Sequence, residues 1–362
     1  MQKWNGKSLE IGELVAKTPI VQGGMGIGIS LSGLASAVAN EGGIGVISAA
    51  GIGMDEPDFG TDYIEANNRA IKKIIRKARE LSNGIIGVNI MVAARNFEQL
   101  AKSAMEEGID IIFAGAGLPL NLPALKEIGC KTKLIPIISS VRALKVITKK
   151  WVDKYNYIPD GFVVEGPLAG GHLGFTNEQV GDENFSLENI MVPIVEELKS
   201  MEKIFAKKIP LIAGGGVFTG DDIKKILDLG ADGVQMGTRF VATHECDADI
   251  KFKEMYVNAK ESDIQLIKSP VGLPGRAVYN NFINEVKNGN KTPAKCPFHC
   301  IVTCKREQSE YCIALALINA YKGKLNNGFA FAGQNAWRVD KILSVKELID
   351  SLEIEYRQCI TN

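Results

Sequence analysis

Three observations predict a TIM (β/α)8 barrel of the α/β class, with a long, mainly helical insertion after its eighth strand. Eight short apolar, β-branched runs recur through the first two thirds of the chain, and charged amphipathic stretches separate them. After Phe240 that rhythm breaks, and helical periodicity returns only in LSVKELIDSLEIEY near the C-terminus. Runs this apolar suit strands buried on both faces, as in a parallel sheet, and eight β/α units are what a closed barrel needs. An open doubly wound sheet is the competing architecture. Its dinucleotide fingerprint would require a spacing that GGMGIG (Gly23–Gly28) does not have.

The runs are TPIVQGGM (Thr18–Met25), IGVISAA (Ile44–Ala50), GIIGVNIMV (Gly84–Val92), IDIIFAGAG (Ile109–Gly117), KLIPIISS (Lys133–Ser140), GFVVEGP (Gly161–Pro167), IPLIAGGG (Ile209–Gly216) and ADGVQMGTRF (Ala231–Phe240). Between them, helical patterns occupy LSGLASAVANEGG, the charged stretch around Ile71 to Leu81, FEQLAKSAMEEG and GDDIKKILDLG. Each of the last two closes on glycine, as a helix C-terminus should. Each strand is followed by room for a helix. The expected division is a barrel from residues 1–242 and 337–362, and an inserted lid over 243–336.

Composition narrows the function. Lys+Arg and Asp+Glu both total 42, so net charge points to neither nucleic acid nor a membrane surface. The polar start MQKWNGKSLEIGEL has no apolar signal region, and no run is long enough to span a bilayer. A cytoplasmic location is expected, and the seven cysteines are then read as reduced thiols or metal ligands.

Barrel enzymes place their chemistry on the loops at the C-terminal ends of the strands. Those ends carry Gly24 and Met25 after the first strand, Asn89 on the third and EGPLAGGHLGF (Glu165–Phe175) after the sixth. Gly214-Gly215-Gly216 ends the seventh, and Gln235-Met236-Gly237-Thr238 the eighth. The last two lie where barrels commonly bind phosphate: glycines expose backbone N–H groups, Thr238 adds a hydroxyl, and a helix beginning near Thr219 is expected to lend its positive end. The alternative is that these glycines only make tight turns. The Asn89 amide either meets a ligand that alternates donors and acceptors or bonds to nearby backbone. His172 is one of three histidines in the chain and sits in a glycine-rich segment at a strand end. That position favours a catalytic imidazole over a core or surface histidine. Glu165, earlier in the same loop, is read either as orienting it or as solvated.

The ordered motifs PIVQGGMG, GVNIMV, EGPLAGGHLGF, IAGGGV and ADGVQMGTRF resemble the nitronate monooxygenase family, formerly called 2-nitropropane dioxygenases, which is related to the flavin-dependent enoyl-acyl-carrier-protein reductases. The match covers about Thr18 to Phe240, with weaker similarity through FAFAGQNAWRVDKI. The resemblance implies FMN over the barrel mouth. Its phosphate would lie against Gly215, Gly216, Gly237 and Thr238 beside Gln235, and its ring against Gly24, Met25 and Asn89. Gly170 and Gly171 would let the backbone pass close to the ring, and His172 would be the catalytic residue, with a pKa near neutral. The implied reaction is oxidation of an alkyl nitronate with O2 to a carbonyl compound and nitrite. The alternatives are an enoyl-acyl-carrier-protein reductase using NAD(P)H and an NADH:quinone reductase. The expected partners are a nitronate or nitroalkane and O2, with a homodimer as the candidate assembly and with neither nucleic acid nor membrane.

One motif lies outside that reading. Cys296, Cys300, Cys304 and Cys312 follow C-x3-C-x3-C-x7-C. Spacings of four would align the first three on one helix face, with Pro297 acceptable in the first turn. Four thiols, with His299 as a spare ligand, could hold zinc or an iron–sulfur cluster, although the spacing is standard for neither. Packing of unmetallated thiols explains the pattern as well.

Overall fold

The computed structural model describes residues 4, 6–293, 296 and 298–361. Eight parallel strands close a barrel: β1 (Ile20–Gln22), β2 (Ile44–Ser48), β3 (Ile85–Met91), β4 (Ile111–Gly115), β5 (Lys133–Ile138), β6 (Phe162–Glu165), β7 (Leu211–Gly214) and β8 (Gly233–Met236). Each pairs with the next, and β8 closes on β1 with Gln235 opposite Val21 and Met236 opposite Gln22. The predicted fold is the observed one.

Inside the barrel, Val21, Val46, Ile111, Phe113, Ile135, Val163 and Ile212 form one buried cluster. An antiparallel hairpin, Leu9–Ile11 with Leu14–Ala16, adds Leu9 and Ile11 to that cluster and caps the N-terminal end. The barrel is therefore filled below and open for chemistry only at the opposite rim.

Amphipathic helices cover the outside. Tyr63–Leu81 begins on Asp62, whose carboxylate accepts from the Glu65 N–H. Gly220–Asp228 begins on a capping box between Thr219 and Asp222. The closing helix, Val345–Thr361, packs against Gly220–Asp228. Strand β4 departs from the expected pattern, because a short 3-10 turn, Leu122–Leu125, stands where a helix was expected. Pro119 and Pro123 flank and enter it, and neither can donate the hydrogen bonds of a continuing helix. The Pro119 carbonyl instead accepts from the buried Trp151 indole at 2.9 Å, which docks the next helix, Val141–Tyr155.

The excursion after β8 contains helices Ile250–Val257, Asn281–Lys287 and Ile313–Tyr321. It also carries a hairpin, Ile264–Lys268 with Pro274–Val278, that the sequence pattern did not announce. This hairpin pairs with Gly171–His172 from the loop after β6, placing His172 opposite Gly275 and Gly171 opposite Arg276. The inserted segment is thus joined to the histidine loop by backbone hydrogen bonding.

The cysteine segment is not a helix. Cys296, Cys300 and Cys304 lie in irregular chain, with Ile301 bridging to Ala94, and Cys312 is the N-cap residue of Ile313–Tyr321. The expected alignment on one helix face is therefore wrong. The segment has no apolar face of helical period to bury, whereas the bridge supplies backbone partners. Pro297 lies outside the described residues. All seven cysteines are free thiols, and no group of three or more metal-ligating side chains is arranged to hold an ion among the described residues. Cys300 and Cys312 pack beside Phe59, Tyr63 and Phe298, and burial pushes the Cys300 thiol up to about 12. No helix among the described residues is long and apolar enough to cross a membrane.

Candidate functional site

The C-terminal rim encloses a cavity of about 280 Å3. Gly24, Met25, Asn89, Gly171, His172, Gly215, Gly216, Gln235, Gly237 and Thr238 all line it, although they come from five different strand ends. Residues far apart in sequence are brought to one wall by closure of the barrel.

The first end is fixed from within. Gln22 is fully buried, its amide donating to the Gly23 carbonyl at 2.5 Å and accepting from the Val46 N–H at 3.1 Å. That bond ties the loop after β1 to β2 and holds Gly24 and Met25 at the rim. Asn89 is placed by β3, between Ser48 of β2 and Phe113 of β4.

At the end of β7, Gly215 and Gly216 have φ of +97° and +105°. Side chains avoid that backbone region, so glycine is required for this turn. The segment Phe329–Asn335 closes over it: the Gly333 N–H donates to Thr238 Oγ1 at 3.2 Å, and Asn335 Nδ2 donates to the Gly216 carbonyl at 2.7 Å. Gly333, Gln334 and Asn335 therefore join the cavity wall. They belong to a stretch whose resemblance was visible in the sequence but whose place in the site was not. The helix Gly220–Asp228 does not contribute as expected. Its Gly220 N–H donates to a Glu355 carboxylate oxygen at 2.7 Å, so a negative charge from the closing helix already occupies that terminus.

His172 is half-buried on the cavity wall. Its Nε2 lies 2.7 Å from Ser269 Oγ, and its ring meets Phe331 edge-on with centroids 4.9 Å apart. Both neighbours come from the insertion. Burial pushes the imidazole pKa down to about 4, so the near-neutral value expected from the sequence is corrected: the ring is uncharged at pH 7. Tyr256 donates its hydroxyl to the Phe331 carbonyl, which steadies the aromatic neighbour. Arg276 is 2% exposed and donates to the carbonyls of Pro167 and Ala169 at 2.6 and 2.7 Å. The loop preceding His172 is therefore held by a buried guanidinium. At Gly171, φ is +80° and a side chain would project into open space, so glycine answers a backbone need there and leaves the wall bare.

Glu165 also lines the cavity, and burial pushes its carboxyl up to about 7. The sequence left it either orienting or solvated; in the structure it is half-buried on the cavity wall. Its raised pKa means that the folded state holds this proton more tightly than the unfolded chain does. Its contribution to stability is therefore present at low pH and lost as pH rises from about 4.5 through about 7. His172 has the opposite sign, contributing above its ordinary value of 6.5 and losing that contribution as pH falls toward 4. Glu165→Gln removes the first dependence. Its melting temperature is expected to gain on the parent's between pH 5 and pH 8, and parallel curves for the two proteins would contradict the raised pKa of Glu165.

The barrel, its rim cavity and the imidazole on the cavity wall have the layout of a (β/α)8-barrel enzyme. Residues 7–355 match the model of the nitronate monooxygenase family, and the chain belongs to that family. It is accordingly an oxidoreductase. A probable nitronate monooxygenase of Staphylococcus aureus is 26% identical over 300 residues, spanning 74% of this chain and 77% of the relative. Among solved structures, FabK from Thermotoga maritima superposes with a TM-score of 0.71 at 26% identity, covering 95% of this chain and 94% of its own. A nitroalkane oxidase from Streptomyces ansochromogenes shares the fold with a TM-score of 0.72 at 20% identity, covering 95% and 97%.

Proposed function

We propose that this protein is an FMN-dependent nitronate monooxygenase that oxidises alkyl nitronates with O2 to a carbonyl compound and nitrite. The observation that carries the reading is the convergence of the glycine-rich ends of β7 and β8, Asn89 and His172 on one cavity. The donor set suits the cofactor. The Gly215–Gly216 turn and the Gly237–Thr238 end offer backbone and hydroxyl groups where a phosphate would sit. Asn89 offers both a donor and an acceptor where the edge of the ring system would sit. Bound there, the flavin supplies the electron acceptor for the substrate and the route of those electrons to O2.

The chain's own residues then have separable tasks. A neutral imidazole carries one N–H and one bare nitrogen. Ser269 engages Nε2, which leaves Nδ1 as the ring nitrogen for substrate. A preformed nitronate is already deprotonated and needs a hydrogen bond to its anionic oxygen more than a strong base. His172 donates that bond, and the edge of Phe331 fixes the ring's orientation. Ala169 and Ala332 line the same cavity with apolar surface that excludes water.

Purified protein is expected to be yellow and to release FMN on heating, as identified by its chromatographic and fluorescence behaviour. Release of FAD, or failure to take up flavin from excess FMN, would contradict the site.

A further inference from the structure

A second, smaller cavity of about 60 Å3 adjoins the first, and Ile27, Ala50, Met91, His172 and Leu317 line both. His172 therefore stands on the partition between them. Most of the remaining wall is apolar, from Ile90, Leu100, Val271 and Ile313 among others; Tyr63 and Cys300 also line it, and no charged side chain does. One polar side chain on this wall lacks any hydrogen-bond partner. Asn96 lines this cavity, is 0% exposed, and neither its Oδ1 nor its Nδ2 has a hydrogen-bond partner. It stands at the N-cap position of the helix Phe97–Glu106 without making the side-chain cap bond that position normally uses.

A buried amide with both ends unpaired is costly, and such groups in native proteins call for a partner. The cavity offers room for roughly four water-sized groups, enough for a few carbons and a small terminus. A charged terminus would be buried there without a counter-ion, which is prohibitive. An amide presents a donor and an acceptor side by side, and its best complement is another uncharged group that does the same.

We infer that the small cavity is a specificity pocket for the substrate's tail, and that Asn96 selects nitronates whose short apolar chain ends in an uncharged group able both to donate and to accept, a primary carboxamide above all. The inference rests on the reading of the main cavity as the flavin and nitronate site. Asn96 acts on which substrate binds; His172 serves the reacting end.

The test compares kcat/KM for preformed nitronates of three isosteric compounds, 4-nitrobutanamide, 4-methyl-1-nitropentane and 4-nitrobutanoate, with the flavin-loaded protein. The three-carbon and five-carbon amides complete the set, and ethyl nitronate reports on the head-group reading alone. The amide of best-fitting length is expected to exceed its alkyl isostere by about 10- to 100-fold, mainly through KM, with the carboxylate poorest. Asn96→Leu should bring the amide-to-alkyl ratio to one or below. Turnover of ethyl nitronate without any amide preference in the parent would overturn the pocket assignment while leaving the head-group reading standing. So would an amide preference that survives in Asn96→Leu. No turnover of ethyl nitronate would remove the head-group reading and the pocket assignment with it. The parent's ranking needs no variant, so the assignment stays falsifiable if Asn96→Leu does not fold.

Discussion

His172→Ala is expected to keep its flavin and to lose about 10²- to 10⁴-fold in kcat/KM on nitronates, the range typical of a single acid–base or hydrogen-bonding group at the reacting atoms. Retention follows from the site's layout. In the proposed site the phosphate end would be held by Gly215, Gly216, Gly237 and Thr238, on strands other than the one that carries His172. His172→Asn separates the two possible roles, because an amide can donate a hydrogen bond but cannot take a proton. With the imidazole pushed down to about 4, donation is the expected role. Asparagine should therefore recover much of the nitronate activity while remaining poor on neutral nitroalkanes. Steady-state kinetics on both substrate forms checks this, and an alanine variant as active as the parent would make His172 structural.

The second large effect is expected at Arg276, a residue that does not line the cavity. Its guanidinium remains charged at neutral pH, although burial pushes its pKa down to about 10, and it holds the Pro167 and Ala169 carbonyls. Arg276→Met keeps the length of the side chain but strands both acceptors. A buried acceptor left unpaired costs about 1–3 kcal/mol, so a loss of about 2–6 kcal/mol is expected for the pair. The histidine loop should loosen along with it, so kcat should fall even where the variant is folded. Urea unfolding and turnover measured together check both effects. An unchanged midpoint with unchanged turnover would show that the loop does not depend on this anchor.

How far the sequence could be read depends on what each signal measures. The barrel strands were legible because burial on both faces leaves a run of Val, Ile and Ala with no polar alternation, as in Phe162-Val163-Val164. Strand ends were legible because glycine turns stand out against those runs, and all ten residues singled out there line one cavity. The neighbours of His172 were not. Ser269 and Phe331 come from the inserted segment, 97 and 159 positions later, and no local pattern announces which loop will fold back onto which. The hairpin that carries Ser269 and bridges to Phe331 through Ala277 is interrupted by Pro270, Gly272 and Pro274, which reads as loop. The imidazole's depressed pKa likewise follows from tertiary burial alone. At Gly220 a sound local rule failed for the same reason: helix N-termini attract anions, and here Glu355 is the anion. The four-residue cysteine spacing gave a helical period without the apolar stripe that would make a helix worth burying.

What the cavity oxidises is the central property of this protein. The most direct measurement incubates the flavin-loaded protein with preformed ethyl nitronate in air-saturated buffer without nicotinamide, following nitrite, acetaldehyde and O2. In parallel, NADH and NADPH oxidation is followed with crotonyl thioester and with a quinone. Nitrite and acetaldehyde formed in equal amounts with O2 uptake, lost in His172→Ala, is the predicted result. Nicotinamide-dependent reduction of the thioester or the quinone, with no nitrite from the nitronate, would contradict it.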